Sequence, residues 1–395
     1  MSSNSPYKVY LADVSYFSGK LEAYLRYREI PYQRIEMNAK TGVEEVYKNT
    51  GMMKVPAVQT SSGLWLKDTT PMIDWFEKQH GKFPIFPKDP AALFISKLVE
   101  DFADEGCWRT AMYFRWSDSS NARYLGQRIG KEVLSGWPLP TAVTGGYFRI
   151  RQTRTFLYGD GLTKETEGVI RQQYFDLLNS FNQLLDNQKF LLGDQPSLVD
   201  IAMMGPFYRH YFCDPEPAKI MRDQYPAVLA WVARMWNAKG SDYVKSENTL
   251  SSNSQTVDDY KKPGWIFILR EIVTNYLPYL RKNASAWKAG DKYFDCEMNG
   301  IVLKKLPVIH YRVYCLEVLE KLYQALDESS CTQVLELFKP YGNLGLGEGI
   351  SKELESGLYD EAKLPLPPRD REVSKLEKLS IMTLGTPWDF RYPFK

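Results

Sequence analysis

Histidine and cysteine are scarce. The chain of 395 residues holds 3 histidines (His80, His210, His310), scattered, and 5 cysteines (Cys107, Cys213, Cys296, Cys315, Cys331). No CxxC pair occurs and the cysteine count is odd, which excludes a disulfide framework, argues against a His/Cys metal site and fits a reducing compartment. Long apolar runs are missing too: no stretch approaches the roughly 18 apolar residues that a membrane-spanning helix requires. The opening MSSNSPYKVYLADVS has neither the basic nor the apolar region of a signal peptide. Nor is there an excess of one charge. Lys+Arg 50 against Asp+Glu 48 leave a net charge of +2, which argues against a polybasic binder of nucleic acid or membrane surfaces. A cytoplasmic, soluble protein of two or three domains is expected, with no metal. What is plentiful is aromatic side chains, 14% of residues, suggesting extensive helix packing or an apolar cleft.

Along the chain, residues 8–12 read as a strand, followed by a helix with Leu21, Tyr24 and Leu25 at i, i+3, i+4 and a second strand over 32–36. Lys54–Gln59 is a β-rich run interrupted by Pro56, and proline belongs at an edge, a strand start or a cis turn. Leu64–Leu66 is a further strand. Asp68-Thr69-Thr70-Pro71 has capping-type side chains before a first-turn proline, so a helix starts there. The first 80 or so residues therefore read β-α-β then β-β-α. Beyond the proline-marked linker at 84–90 the pattern turns helical to about residue 240, interrupted at Gly136–Gly161 by what reads as a loop or insertion. Ser197-x-x-Asp200 is a capping box. A polar linker is expected over 246–258. After it, Trp265, Ile268, Leu269, Ile272, Val273, Tyr276 and Leu280 trace one helix face, and Asn299-Gly300 marks a two-residue hairpin. Leu316 to Leu326 is helical again. Gly345-x-Gly347-x-Gly349 has no strand before it and reads as a loop.

That order of elements is thioredoxin-like, and four motifs resemble the cytosolic glutathione transferase superfamily. Ser15-Tyr16-Phe17-Ser18-Gly19-Lys20 looks like the helix start of its tau, zeta and omega classes, and Lys54-Val55-Pro56-Ala57-Val58 like their cis-proline segment. Asp68-Thr69-Thr70-Pro71-Met72 stands where they carry Glu-Ser-x-Ala-Ile, and Ser197-x-x-Asp200 matches the capping box of the helical second domain. The run Gly19–Arg26 also looks like metaxin and failed-axon-connection proteins, many of which are not established transferases. The resemblance implies an α+β chain: a thioredoxin-like glutathione-binding domain at 1–83, an all-helical acceptor domain at 90–245, and a mainly helical extension with a short hairpin at 255–395.

It also implies a site. A thiol with an ordinary pKa near about 8.5 must become a thiolate to attack an electrophile. A hydroxyl at a helix N-terminus can donate a hydrogen bond to that sulfur. Ser15 stands at the position those classes use; Tyr16 and Ser18 are alternatives, and Ser15 and Ser18 also suit a plain turn and cap. Phe17, Lys54, Val55 and Pro56 would hold glutathione at its cysteinyl and glycyl parts. Thr69 would take the γ-glutamyl carboxylate and Asp68 its ammonium. The first helix of the second domain would line the acceptor site through Trp108, Tyr113, Phe114 and Trp116, with Tyr208 and Phe212 added later. Arg109 and Arg115 read as solvated helix charges or as attractors of an anionic acceptor. No cysteine precedes residue 107, so chemistry through an enzyme thiol is disfavoured. The function implied is a glutathione transferase, acting as a homodimer on an apolar electrophile. The alternatives are a non-catalytic metaxin-like binding or assembly protein and a glutathione-dependent isomerase or lyase.

Overall fold

The computed structural model describes residues 7–135, 139–243, 254–346, 363–369 and 372–384. Strand β1 (Tyr7–Leu11) buries Val9, Tyr10 and Leu11 completely and pairs in parallel with β2 (Tyr32–Glu36). Parallel neighbours need a crossover. Helix α1 (Tyr16–Tyr27) supplies it, burying Leu21, Tyr24 and Leu25. The chain then turns through α2 (Ala39–Thr41), a π-type turn at 42–47 and α3 (Lys48–Thr50). Strand β3 (Ala57–Gln59) runs antiparallel to β1, and β4 (Trp65–Lys67) antiparallel to β3, in the order β2-β1-β3-β4. Helix α4 (Thr69–Gln79) packs back on α1, with the Phe76 and Tyr24 rings 6.1 Å apart.

The helical unit comprises α5 (Pro90–Asp101), a π-type turn at 102–106, α6 (Trp108–Trp116), α7 (Ser119–Val133), α8 (Thr141–Gln152), α9 (Glu167–Leu185), α10 (Leu198–Pro206), α11 (Pro215–Gln224) and α12 (Pro226–Asn237). The expected loop at Gly136–Gly161 is corrected: 136–138 lie outside the described residues, and 141–157 are continuous helix. The glycines there serve close helix contact. A Cβ on Gly126 would stand 2.6 Å from the Gly145 carbonyl oxygen, and one on Gly145 would stand 2.9 Å from the Gln127 backbone. The capping box forms as expected. Asp200 accepts from the Ser197 amide at 3.0 Å and its hydroxyl at 2.6 Å, and also from the Leu191 amide and Trp231 Nε1, both at 2.9 Å.

In the extension, α13 (Ile266–Glu271), a π-type turn at 272–276 and α14 (Leu277–Ala289) form one rod ending at Gly290, φ 75°. Strands β5 (Tyr293–Met298) and β6 (Ile301–Pro307) make the expected hairpin. Asn299 and Gly300 have φ of 51° and 78°, the left-handed pair a two-residue hairpin turn needs. Helices α15 (His310–Gln324) and α16 (Glu328–Phe338) follow. The whole predicted face from Trp265 to Leu280 is buried and shares one continuous core with Val9 and Leu177, so the extension is no separate module. Leu366 bridges Trp65 of β4, and a terminal helix, Lys375–Leu384, packs on the 42–47 turn through Glu377–Tyr47 at 2.8 Å. Residues 246–253 of the expected 246–258 linker, and Gly347 and Gly349, lie outside the described residues.

Candidate functional site

A cavity of about 380 Å³ opens where the sheet unit, the helical unit and the extension meet. Its floor is Ser15, Tyr16, Phe17, Met53, Lys54 and Val55. One wall is the face of α6 at four-residue spacing, Trp108, Met112 and Trp116; another is Ile129 and Val133 of α7 with Phe148 and Arg151 of α8. The extension supplies the rest: Ile309, Tyr311, Arg312 and, from the terminal helix, Ile381.

The three candidate hydroxyls face different ways. Ser15 is the N-cap of α1: its Oγ accepts from the Ser18 amide at 3.2 Å, so its own proton remains to be donated, at the positive end of the helix. Ser15 is half-buried on the cavity floor. The Tyr16 ring reaches the cavity, but its hydroxyl donates to the Ala103 carbonyl and burial pushes its pKa well above the usual value. Ser18 is fully buried with its Oγ accepting from the Ala12 amide, so it is not the helix cap.

Phe17, Lys54 and Val55 share the floor with Ser15, and the Val55–Pro56 bond is cis, with β3 beginning at Ala57. Asp68 and Thr69 are not part of the cavity lining. Asp68 precedes α4 with φ 68°, and its side chain makes no capping bond, contrary to the expectation of an ordinary cap. Its Oδ2 accepts instead from the Tyr311 hydroxyl at 2.9 Å. Burial raises the Asp68 carboxyl above the usual range, partly offset by that hydroxyl and by Lys20.

Beneath the floor lies a buried charge cluster. Lys20 Nζ is 2.8 Å from Glu100 Oε1, 2.5 Å from Asp104 Oδ2 and 3.1 Å from Thr70 Oγ1, tying α1 to the start of α4 and the end of α5. Lys97 holds Glu100 at 2.9 Å and Asp74 at 2.6 Å. Burial works against the Lys20 ammonium, but Asp104 and Glu100 outweigh it and keep it charged. Glu100 is the firm anion: although burial opposes its charge, the two lysines hold it down at about 2. Asp104 takes the proton first, pushed up to about 7 by burial and the neighbouring carboxylates against the pull of Lys20. Asp101, burial-raised to about 7, accepts from the Tyr276 hydroxyl at 2.6 Å.

Of the aromatic acceptor candidates, Trp108 and Trp116 line the cavity and the other four do not. Tyr113 donates to Glu167 at 2.8 Å on the α9 side, and Phe114 is buried 4.7 Å from the Tyr174 ring. Tyr208 stacks on Trp236 at 4.1 Å, with Phe212 beside it. Arg115 lines the cavity but is not a solvated helix charge. It is buried, bonded to Asp214 at 2.8 and 2.9 Å and to the Val14 and Arg209 carbonyls, both at 2.7 Å. Arg109 is likewise held, by Asp160. His210 lines the cavity as a neutral imidazole, its pKa lowered by burial and then by Arg115. The cysteine thiols Cys107 and Cys315 are buried and pushed up. Sequence reasoning missed Tyr311, Arg312 and Ile381, which follow no motif, and Phe148, hidden in the supposed loop; Arg151 belongs to the basic cluster Arg149, Arg151 and Arg154, which the sequence marks as a candidate anion site. Met112 was legible: it is the middle member of the 108, 112, 116 face.

Among the described residues no helix is long and apolar enough to cross a membrane, and no group of three or more His, Cys, Asp or Glu is placed to hold a metal. Residues 9–84 match the family model of the glutathione S-transferase N-terminal domain, and residues 169–238 that of the C-terminal domain. No curated protein matches the chain. Similar solved structures include a glutathione S-transferase of Methylobacterium radiotolerans in complex with glutathione sulfonate (16% identity, 58% of this chain and 90% of that one, TM-score 0.37). They also include the β-etherase LigF of Sphingobium (16% identity, 58% and 95%, TM-score 0.41). A tau-class glutathione S-transferase of mango, Mangifera indica, is a third (14% identity, 62% and 96%, TM-score 0.40). Likenesses this distant say nothing about chemistry. The two matched domains stand in their family order over a thioredoxin-like sheet and a helical unit: the chain carries the N- and C-terminal domains of the glutathione S-transferase superfamily.

Proposed function

We propose that the chain is a glutathione transferase-like enzyme in which Ser15 holds the sulfur of a glutathione-type thiol as a thiolate for attack on an apolar electrophile. The observation that carries this reading is the placement of the three hydroxyls: Ser15 lines the cavity floor with its Oγ accepting, Tyr16 already donates to the Ala103 carbonyl, and Ser18, which also accepts, is buried outside the cavity lining. A hydrogen bond to a charged partner contributes about 1.5–3 kcal/mol. That lowers a thiol pKa by about 1–2 units, to about 6.5–7.5, which raises the thiolate from about 3% to between about a quarter and three quarters at pH 7. The sulfur lone pair then forms the bond to the electrophilic carbon, and the leaving group departs with its electron pair. Ser15 acts by hydrogen bonding and forms no covalent bond itself. The Val55 backbone would align the cysteinyl part, with Phe17 and Lys54 beside it, while the electrophile lies among Trp108, Met112, Trp116 and Phe148. In this reading residues 1–83 bind the thiol and 90–245 the acceptor. A cytoplasmic homodimer serving detoxification belongs to the same proposal.

The test is conjugate formation from thiols and a panel of apolar electrophiles. Ser15→Ala is expected to lower kcat/KM by about 10- to 100-fold, in line with the loss of that hydrogen bond. Activity unchanged in Ser15→Ala sinks the assignment. The panel also separates conjugation from isomerase or lyase chemistry, which would use the same thiolate. One observation favours a second reading, a non-catalytic metaxin-like binding protein: Tyr311 already occupies Asp68. Thiol binding without turnover of any electrophile would establish it.

A further inference from the structure

Helix α8 turns an apolar stripe to solvent: Val143, Tyr147 and Ile150, at i, i+4 and i+7, are 58%, 39% and 51% exposed. A helix of a folded domain ordinarily packs such a stripe against something. The stripe adjoins the cavity, because Phe148 and Arg151 of the same helix line it. The terminal helix ends at this place. It is tied to the 42–47 turn by Tyr47 to Glu377 at 2.8 Å and by Lys378 to Glu44 at 3.3 Å, and Ile381 is buried in the cavity lining. Its last residue, Leu384, is less than one turn further on. Beyond the described residues the sequence runs Gly-Thr-Pro-Trp-Asp-Phe-Arg-Tyr-Pro-Phe-Lys over 385–395. Gly385 and Pro387 are helix-stop residues. Trp388, Phe390, Tyr392 and Phe394 then alternate with Asp389, Arg391, Pro393 and Lys395. Two is the period of extended chain, which gives such a segment one wholly aromatic face and one mostly charged.

We propose that residues 385–395 dock on their own chain in extended form, Trp388 and Phe390 entering the cavity between Trp108, Trp116 and Phe148, and Tyr392 and Phe394 covering Val143, Tyr147 and Ile150. The aromatic face then leaves water while Asp389, Arg391 and Lys395 stay in it. Residues 385–388, extended, span about 13 Å. That is enough to bring Trp388 from the helix end into a cavity to which Ile381 already belongs. A link this short holds the segment at an effective concentration on the order of millimolar. A free-peptide Kd of about 0.1 mM therefore leaves the site filled about nine-tenths of the time. Any apolar ligand of the cavity thus competes with the chain's own segment. This holds whether or not a thiol binds beside Ser15, so failure of the proposal leaves the thiol-site reading standing.

The test titrates the full chain into a fluorescein-labelled synthetic peptide of residues 385–395 and reads polarisation. The full chain carrying Trp388→Ser and Phe390→Ser is expected to bind the peptide about ten-fold more tightly than the wild type, whose site is already filled. Trp108→Ala on the cavity wall, added to that variant, is expected to weaken peptide binding about ten-fold. Ile150→Asp, at an exposed position, is expected to do the same on the stripe and serves if Trp108→Ala fails to fold. Peptide that binds neither chain, or binds the serine double variant no more tightly than the wild type, overturns the proposal. So does binding that Trp108→Ala and Ile150→Asp both leave unmoved. A dimer that Ile150→Asp dissociates, with no peptide bound, gives the stripe to a second copy and overturns it too.

Discussion

Replacing Lys20 by methionine removes the ammonium on which Glu100 and Asp104 converge while keeping the side-chain volume. Lys20 is fully buried, 2.8 Å from Glu100 and 2.5 Å from Asp104. Breaking a buried pair by deleting one partner costs about 3–5 kcal/mol, because the other charge is stranded. Glu100 is not stranded, since Lys97 remains 2.9 Å away. Asp104 is, but only while it is ionised, and burial already raises its pKa to about 7. The loss should therefore lie near the lower bound, about 3 kcal/mol, at about pH 5.5, where Asp104 can hold a proton. It should rise toward about 5 kcal/mol at about pH 8, where the carboxylate is charged and without its lysine. Urea unfolding followed by tryptophan fluorescence reads this as a midpoint lowered by about 1 M or more, with the larger shift at the higher pH. Adding Asp104→Asn should remove the pH dependence of the loss. A loss below about 1 kcal/mol at both pH values, or a larger loss at the lower pH, would refute the reasoning.

Tyr16→Phe deletes a hydroxyl that is bonded to the Ala103 carbonyl in the core, so unfolding stability should fall by about 1 kcal/mol while the pKa of bound thiol stays put; a shifted thiol pKa would move the catalytic role to Tyr16. Asp101 titrates near about 7 in the fold because of burial, against about 3.9 in the unfolded chain. A raised acid pKa gives stability that is full below about pH 4 and lost as the pH climbs through about 7, so Asp101→Asn should flatten the fall in urea midpoint over that window. An unchanged slope would show that Asp101 is ionised throughout.

Much of the sheet unit was legible because its signals are local. Pro56, the Ser15-to-Lys20 helix start, the Ser197/Asp200 box and Asn299-Gly300 each act within a few residues, and all four appear where the sequence puts them. Misreading began where one residue type serves two purposes. Gly145 and Gly126 resemble loop glycines, yet they let two helices touch. Arg115 resembles a surface charge, yet it meets Asp214, 99 residues along the chain. Phe114 and Trp116 sit two apart on α6 and face opposite ways, one to the core and one to the cavity. Asp68 reads as a cap because nothing local reveals Tyr311, which reaches it across 243 residues. Contacts of that range follow from the packing of the extension on both units and leave no local pattern to read.

The account stands or falls on the ionisation of a bound thiol. Titrating the thiolate absorbance of glutathione on the full chain and on Ser15→Ala measures it directly. The predicted result is a bound thiol pKa about 1–2 units below the free value of about 8.5 in the wild type, returned to the free value in Ser15→Ala. A bound thiol that ionises like the free one, or a lowered pKa that persists without the Ser15 hydroxyl, would contradict it.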